Sequence, residues 1–480
     1  MSDEILYVGE DTTPLYASKT ESKKVFELLW GDRVRVLSNV GTRWRAKARG
    51  FEGYVERDAL TETSLLEIYF IDVGQGDGVL IRFPDGRHLL IDGGYNRAKQ
   101  QTGKNAADFV DWKFFKDYEL PRITLDAMIS SHCDADHYGG LWDLLNKDAK
   151  DELDTTDIEI GAFYHAGVSW WKDNGKRGIG PEENGFLTRL LEGKTSLREA
   201  LREGETERLQ GEWAEFLRCV LAEDCSIKRV SDRTEYIPGF EAANGKASLR
   251  VLGPVEPERG MLHDLGGDSQ NTNGNSIVLR VDYGRTRTLL TGDLNRKSQR
   301  RLLEAYTGRR SEFACDVAKG CHHGSDDVSY EFLSAMSPGA TIISSGDSEA
   351  HAHPRPSIVA ASALTGHARI DNDSLVTPLI YSTEISRSAR LGKITHLAIP
   401  GVGLENDQLA GDAQARIHYE ETSAGSLKAK KGDRQLAGSY VVAGMVYGLV
   451  NVRTDGERIL CATLNEKNRS WDYQAFMSRF

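Results

Sequence analysis

The sequence predicts a mixed α/β protein (α+β in its detailed arrangement), in which loops rich in histidine and aspartate connect strands to helices. Two observations support this class. Apolar segments of strand length recur along the chain, and several polar loops between them are followed by segments with helical periodicity. With 480 residues, two or three domains are expected, and at least one is large enough to bury a substantial core.

The first predicted domain covers residues 1–62 and consists of short strands. Apolar and polar residues alternate in its strand-length segments, which glycine-containing turns separate. The turn at Gly31-Asp32, the central Trp44 and the closing segment 50–55 resemble a bacterial SH3-like domain. This resemblance implies a small all-β barrel that binds a peptide, a protein partner or a cell-wall fragment, or that only packs against its neighbour.

The second predicted domain covers residues 63–405 and starts with three strands joined by tight turns. This pattern indicates that its sheet begins with antiparallel pairs. The first of these turns, a glycine-rich segment at 74–78 that contains Asp77, indicates a close approach to another part of the backbone. The third strand ends at Asp92, so this carboxylate is expected near the loop that follows the next strand.

The most informative stretch is the loop at 131–140, which follows an apolar strand and precedes a helix predicted to open at Gly139. Four possible metal ligands occur within six residues, at H-x-D-x-D-H spacing: His132, Asp134, Asp136 and His137. Imidazole nitrogen and carboxylate oxygen are ligands of zinc, and open α/β sheets carry their chemistry on such loops between strand and helix. An acidic surface loop with two incidental histidines is the alternative.

Further side chains of ligand type follow later apolar segments. Asp293 ends an apolar strand next to a glycine, where a carboxylate can point into a cleft. The adjacent His322 and His323 precede Gly324 and Ser325, and His353 lies on the loop after the next strand. The recurring order is therefore strand, ligand-type residues, helix.

Two regions differ from this pattern. Residues 148–245 contain little strand signal, and amphipathic pieces around Trp170-Trp171, Phe186 and Trp213 predict a helical insertion that caps the cleft. Residues 406–480 are predicted to be a C-terminal extension whose strands complete the sheets.

The order of these motifs resembles the metallo-beta-lactamase superfamily, and more narrowly the hydrolase domain of competence (ComEC-like) proteins. The matching segments are Phe70–Asp77, Leu90–Gly94, Ser131–Gly140, Asn275-Ser276, Leu290–Asp293 and His322–Ser325. The resemblance implies an αββα sandwich, two sheets with helices outside them, and a metal site along one edge.

The resemblance also implies two bound divalent metal ions, Zn²⁺ or Mn²⁺. It assigns their ligands to His132, Asp134, Asp136, His137, Asp293, His322 and His323. Of the adjacent histidines His323 is favoured, because a glycine follows it as in the superfamily. Asp92 would orient the loop of His132, with Asp77 as a second supporting carboxylate. Many members have histidine where Asp134 stands, and an oxygen ligand makes the site harder, which admits Mn²⁺ beside Zn²⁺.

Two metal ions about 3.5–4 Å apart can activate a hydroxide and hold both oxygens of an in-line displacement. In this mechanism Asp136 helps to hold the second ion, and His353 contacts a phosphate oxygen or protonates the leaving group. A histidine that only fixes its loop is the alternative for His353. Ser325 could bind phosphate or cap a helix, and Asn275 and Ser276 could bond to metal-bound water or phosphate, or hold their own loop.

Composition limits the classes of function. The net charge of -12 argues against a surface built for non-specific nucleic-acid binding, although a cleft can be locally basic. The sequence has no apolar run of 18 residues, no secretory signal pattern and no close cysteine pairs, so a cytoplasmic protein without a membrane segment is expected.

Three hypotheses for the function follow from these observations. The first is a phosphodiesterase or nuclease that acts on nucleic acid. The second is a hydrolase of a small phosphodiester or another ester. The third is an effector or interaction subunit of a defence or signalling complex, recruited through the SH3-like domain.

Overall fold

The computed structural model describes residues 4–100, 103–173, 175–202, 207–345, 353–383, 448–465 and 468–480, and the backbone of six strands between 390 and 443. All six cysteines are free thiols, in agreement with the absence of close cysteine pairs in the sequence. Throughout these described ranges, no helix has both the length and the apolar character needed to cross a membrane.

The N-terminal region forms one antiparallel sheet of seven strands, as its alternating pattern predicts. Its strands are Glu4–Val8, Thr12–Tyr16, Lys24–Leu29, Arg33–Ser38, Arg43–Ala48, Phe51–Glu56 and Leu60–Thr61. The apolar interior of this sheet includes Leu28 and Val34, and it continues onto Leu460 and Trp471 from the end of the chain. This contact agrees with the alternative in which the domain packs against its neighbour, whereas a protein partner of this domain stays a prediction.

A sheet of nine strands forms the first half of the central structure. In spatial order the strands are Ser226–Arg229, Ala162–His165, Ala127–Ser130, His88–Ile91, Val79–Arg82, Leu66–Phe70, Val450–Thr454, Arg458–Asn465 and Ser470–Met477. The three strands that open the domain pair antiparallel, as predicted. The strands 127–130, 162–165 and 226–229 then add in parallel.

A second sheet of six strands faces the first. Its strands in spatial order are Ser248–Gly253, Val278–Tyr283, Thr286–Leu290, Val317–Lys319, Ala340–Ile343 and Leu379–Ser382. Side chains from both sheets, for example Ile81 and Leu279, share one buried apolar cluster between them. The predicted mixed α/β architecture with two packed sheets is therefore confirmed.

Helices cover the outer face of each sheet. The α-helices are Ala106–Trp112, Ala135–Leu145, Lys194–Ala200, Gly211–Ala222, Asp268–Gly274, Arg296–Ala305, Tyr330–Met336 and Pro356–Thr365. Two further apolar clusters lie under them. The first joins Leu141 and Phe216 to the nine-stranded sheet, and the second joins Leu302 and Phe332 to the six-stranded sheet. The four layers are thus helix, sheet, sheet and helix.

The prediction of a helical insertion over residues 148–245 was wrong in part. Two helices lie there, but two strands of the nine-stranded sheet lie there as well. Shorter strands lie there too, at Ile158–Ile160, Trp171–Asp173, Lys176–Gly178, Glu182–Glu183, Phe186–Leu187 and Glu207–Leu209. Two of them pair with strands outside the range, at Ile123–Leu125 and Leu262–His263. The pieces predicted as helix at Trp171 and Phe186 are strands, because a segment of three residues carries too little periodicity to separate the two structures.

The C-terminal extension also differs from its predicted boundary at 405–406, which falls inside the strand Leu404–Gln408. The strands that complete the nine-stranded sheet begin only at Val450. Before them, three separate two-stranded sheets are formed by Arg390–Lys393 with Tyr440–Ala443, His396–Ile399 with Leu404–Gln408, and Arg416–Glu420 with Lys431–Gln435. A last hairpin joins Arg369–Asp371 to Ser374–Thr377.

Candidate metal centre

Three glycine-rich segments place the predicted ligand loop. The helix after the loop begins at Ala135, earlier than the predicted Gly139, so Asp136 and His137 lie in its first turn. A Cβ atom on Gly140 would collide with the backbone of Gly93, and one on Gly76 would collide with the carbonyl oxygen of Asp136. The glycines therefore allow three backbone segments to meet at the loop, as the glycine-rich turn predicted.

Side chains that are distant in the sequence converge at this point. The ligand atoms of His132, His137 and Asp293 lie within 4.8 Å of one another, as do those of Asp136, His137 and His323. His137 Nε2 is 3.3 Å from Asp293 Oδ2, and His323 Nε2 is 3.1 Å from the same oxygen. Asp293 thus lies between two groups of imidazole ligands.

The donor atoms of the site are better arranged to bind a metal ion than to hydrogen-bond with one another. The Nε2 atoms of His132, His137 and His323 are buried. Two of them lie within ion-pair distance of Asp293, but none has the geometry of a hydrogen bond to another described residue. Buried polar atoms without partners are rare, because each one costs free energy unless a ligand, ion or water satisfies it. Imidazole nitrogens together with carboxylate oxygens suit Zn²⁺ or Mn²⁺.

The electrostatics of the site favour a bound cation. Burial alone would lower the pKa of His323, but the carboxylates of Asp293 and Asp77 raise it to about 10. Burial would raise the pKa of Asp293, but His323 and His137 hold it well below its usual range. The carboxylates therefore draw positive charge to the position between them.

Asp92 supports the ligands from behind. Its Oδ1 accepts from the backbone N–H of Ser131 at 2.7 Å, and its Oδ2 accepts from the Ser131 hydroxyl at 2.6 Å. The same Oδ2 lies 2.9 Å from His137 Nδ1, so a proton on Nδ1 leaves the lone pair of Nε2 directed into the site. Asp92 has a φ of 56°, a left-handed backbone conformation that side chains other than glycine seldom adopt.

Lys319 is a member of the site that the sequence analysis missed. Its ammonium group is buried, forms an ion pair with Asp77 and donates to the carbonyl oxygen of Gly292 at 2.9 Å. It also lies 3.7 Å from Asp293 Oδ1. Burial would raise the pKa of Asp77, but Lys319 and His323 lower it to about 2. A lysine at the end of a short apolar strand, three residues before His322, was the available signal.

One family model matches the part of the chain that contains the predicted ligand loop. Residues 71–153 match the model of the Metallo-beta-lactamase superfamily. The chain contains a metallo-beta-lactamase superfamily domain. The resemblance to this superfamily is thereby confirmed, whereas the SH3-like assignment of residues 1–62 stays a prediction.

Two curated proteins are similar to parts of the chain. ComE operon protein 3 of Bacillus subtilis (strain 168) is 26% identical over 302 residues, which are 61% of this chain and 30% of that protein. Competence protein ComA of Neisseria gonorrhoeae is 39% identical over 87 residues, which are 18% of this chain and 12% of that protein. The matched regions thus span less than a third of either relative.

Two solved structures show a weak overall likeness. A diphosphatase from the PhnP family has a TM-score of 0.26 at 12% identity and covers 56% of this chain and 72% of its own. A protein of unknown function from Enterococcus faecalis V583 has a TM-score of 0.25 at 12% identity and covers 56% of both chains. Scores this low say nothing about the site.

The other predicted ligands of the metallo-beta-lactamase domain lie at the rim of the cluster. Asp134 Oδ2 is 3.7 Å from His132 Nε2, and it accepts a hydrogen bond from Thr272 at 2.9 Å. Burial and the neighbouring Asp136 raise the pKa of Asp134 to about 6. His322 Nε2 is 3.8 Å from Asp293 Oδ2, which is farther than His323 from that oxygen, in line with the preference for His323.

Two of the predicted catalytic residues, Asn275 and Ser276, hold backbone or side chains near the site. The Asn275 amide donates to carbonyl oxygens of His263 and Asn271, which agrees with a role in holding its loop. Ser276 Oγ accepts from the backbone N–H of Asp293 at 3.1 Å and lies 3.3 Å from His132 Nδ1, so it positions two ligands.

Ser325 and His353 both lie next to His322. Ser325 Oγ accepts from the backbone N–H of Asp327 at 3.3 Å, which is a turn contact. The alternative that Ser325 caps a helix start was wrong, because the next helix begins only at Tyr330, directly after Ser329. The ring of His353 lies 5.8 Å from that of His322, at the edge of the cluster, where it is close enough to meet a bound substrate.

Proposed function

We propose that this chain is a metal-dependent phosphodiesterase that cleaves nucleic acid. The observation that carries the proposal is the set of three buried Nε2 atoms, on His132, His137 and His323, that surround Asp293 without hydrogen bonds to other described residues. The similarity to two proteins named for competence supports a substrate of this class.

The proposed roles follow from the contacts. His132, His137, Asp136, His323 and Asp293 would hold the ions. Two divalent ions bound there would supply a hydroxide near neutral pH and neutralise the charge that develops on the phosphate.

The remaining residues act on these ligands or on the substrate. Asp92 keeps the proton of His137 on Nδ1, and Lys319 balances the charge of Asp77 beside the ligands. His353 would donate a hydrogen bond to a phosphate oxygen or a proton to the leaving group.

The test is a substrate panel. Protein purified without chelator is loaded with Zn²⁺ or Mn²⁺ and incubated with single-stranded DNA, double-stranded DNA, RNA and bis-p-nitrophenyl phosphate. We expect cleavage of nucleic acid that EDTA stops and that Asp136→Ala abolishes, while Asp85→Ala, a change in an exposed turn, has no effect. Cleavage of the small diester alone would favour the second hypothesis, and no metal-dependent turnover at all would overturn the proposal.

A further inference from the structure

A cleft of about 670 Å³ opens directly beside the candidate metal centre. One wall consists of the ligand loop with Asp134 and Asp136, and the opposite wall comes from residues 170–213 with Trp170 and Arg177. The second wall lies in the region that the sequence analysis predicted only as a cap. A substrate that reaches the carboxylates would therefore also contact this wall.

Trp170 is fixed against the ligand loop. Its indole Nε1 donates to the carbonyl oxygen of Cys133 at 3.1 Å and lies 3.3 Å from Asp134 Oδ1. The ring is half-buried, so one part of it still faces the cleft. These hydrogen bonds hold the aromatic ring at a set distance from the predicted ligands.

Arg177 covers the ring of Trp170. Its guanidinium carbon lies 3.8 Å from the ring centroid, and the side chain is exposed. Within the described part of the chain, Arg177 forms no ion pair. The other cation of this cleft, Lys99, is already paired with Glu212. Arg177 is thus the cation of the described lining that is available to a ligand.

A stacked guanidinium has two surfaces to offer. Its inner face rests on the indole, its outer face can stack on a nucleobase, and its N–H groups point outward in the plane towards phosphate or sugar oxygens. Aromatic rings and arginine planes bind unpaired bases in this way with little dependence on base identity. A paired base in a duplex does not present its face.

We propose that Trp170 and Arg177 form a stacking platform for one unpaired nucleotide of the substrate strand, next to the phosphate that is cleaved. This inference rests on the proposed function and names its substrate as a single strand or a frayed end. Because Nε1 of Trp170 reaches Asp134, a base on the platform lies within about one nucleotide of the predicted metal ligands.

The test measures binding without cleavage. The full chain in EDTA is titrated with a fluorescein-labelled oligothymidylate of about twelve nucleotides and with an abasic strand of the same length, and anisotropy gives both dissociation constants. We expect the unaltered chain to prefer the strand that carries bases. Arg177→Ala should reduce this preference about tenfold.

Two variants separate stacking from charge and from folding. Arg177→Lys keeps the charge and removes the plane, so it should bind the abasic strand like the unaltered chain but lose the preference for bases. Arg189→Ala is the matched control, because Arg189 lies over Trp171 at 5.5 Å, is paired with Glu207 and lies outside the cleft lining. It should leave the preference unchanged.

The outcomes distinguish the two proposals. Equal affinity for the two strands, or a preference that Arg177→Ala and Arg177→Lys do not change, would overturn the platform even if the chain cleaves nucleic acid. A clear preference for bases in a chain without metal-dependent cleavage would instead remove the proposed function and leave a binding site for single strands.

Discussion

Two clusters of buried charge in this chain differ in whether hydrogen bonds from the protein engage both oxygens of the central carboxylate. In the contact between the N-terminal sheet and the nine-stranded sheet, Asp32 Oδ1 accepts from Arg453 at 2.7 Å and from Arg49 at 3.3 Å. Its Oδ2 accepts from the backbone N–H of Leu29 at 2.8 Å. Both carboxylate oxygens are therefore fully engaged.

In the candidate metal centre, by contrast, Nε2 of His137 and Nε2 of His323 lie beside Asp293, and neither these atoms nor His132 Nε2 make hydrogen bonds to other described residues. Both clusters are buried and both mix acidic with basic groups, so burial and charge alone do not separate a structural network from a ligand site. The difference lies in the central carboxylate. Both oxygens of Asp32 accept hydrogen bonds, although Nε of Arg49 and Nε of Arg453 have no hydrogen-bond partner among the described residues. Oδ1 of Asp293 instead accepts no hydrogen bond from any described residue. A carboxylate with an open oxygen beside open imidazole nitrogens is left for a ligand.

The strongest test of this comparison is Asp293→Ala. Because Asp293 lies between both groups of ligands, we expect metal-dependent cleavage to fall about 1,000-fold or more, together with the bound metal. Turnover and metal content by mass spectrometry are the two measurements. Asp371→Ala, in an exposed hairpin, should change neither. Full metal content in the Asp293 variant would show that the ions bind elsewhere.

Arg453→Met tests the cluster around Asp32. This change leaves the buried carboxylate of Asp32 without its main partner, so the free energy of unfolding should fall by about 3–5 kcal/mol in urea titrations. Metal content of the folded protein should stay the same. The double variant with Asp32→Asn should recover only part of the loss, because the buried carboxylate is then neutral but Arg49 loses its own partner. A double variant as unstable as Arg453→Met alone would argue against this explanation.

Asp92→Asn tests a residue that orients a predicted metal ligand, His137, without being a predicted ligand itself. The change weakens the contact that holds the proton on His137 Nδ1, so metal affinity should fall about 10–100-fold with the fold intact. Calorimetric titration with Zn²⁺ measures the affinity, and circular dichroism serves as the control for folding. Unchanged affinity would mean that Ser131 and the loop orient His137 without this carboxylate.

The smallest expected effect is that of acid on the free energy of unfolding, through the cluster around Asp32. Burial would raise the pKa of Asp32, but Arg453 and Arg49 lower it from 3.8 to about 2. Because the folded pKa lies below the unfolded one, the contribution is present above pH ~4 and is lost as the pH falls through about 2. It amounts to roughly 2 kcal/mol, and Asp32→Asn should flatten the dependence of unfolding free energy on pH in this window.

The residues predicted to ligate metal lie in short motifs with local spacing, and the structure brings several of these motifs together. The loop with His132 and Asp136, the carboxylate of Asp293 and the glycine-rich turn at 74–78 were all found at the point of convergence. The strand that ends at Ile91, directly before Asp92, was predicted from its apolar run.

The strands at 162–165 and 226–229 were not predicted from the sequence. Both strands have only four residues, which is too short for a clear periodicity. The first is also buried along its whole length, so it shows no alternation between apolar and polar residues. Neither segment can bury its surface alone. Each becomes a strand because a parallel neighbour supplies the hydrogen bonds, and the local sequence does not encode that neighbour.

The sequence by itself determined which chemical groups this protein carries and in which order, because ligand spacing and turn glycines are local properties of the chain. Only the tertiary structure decided that Lys319 is paired with Asp77 and that Trp170 touches the ligand loop. Those contacts join residues that are tens to hundreds of positions apart, and such pairs are fixed by how sheets and helices pack rather than by any short segment.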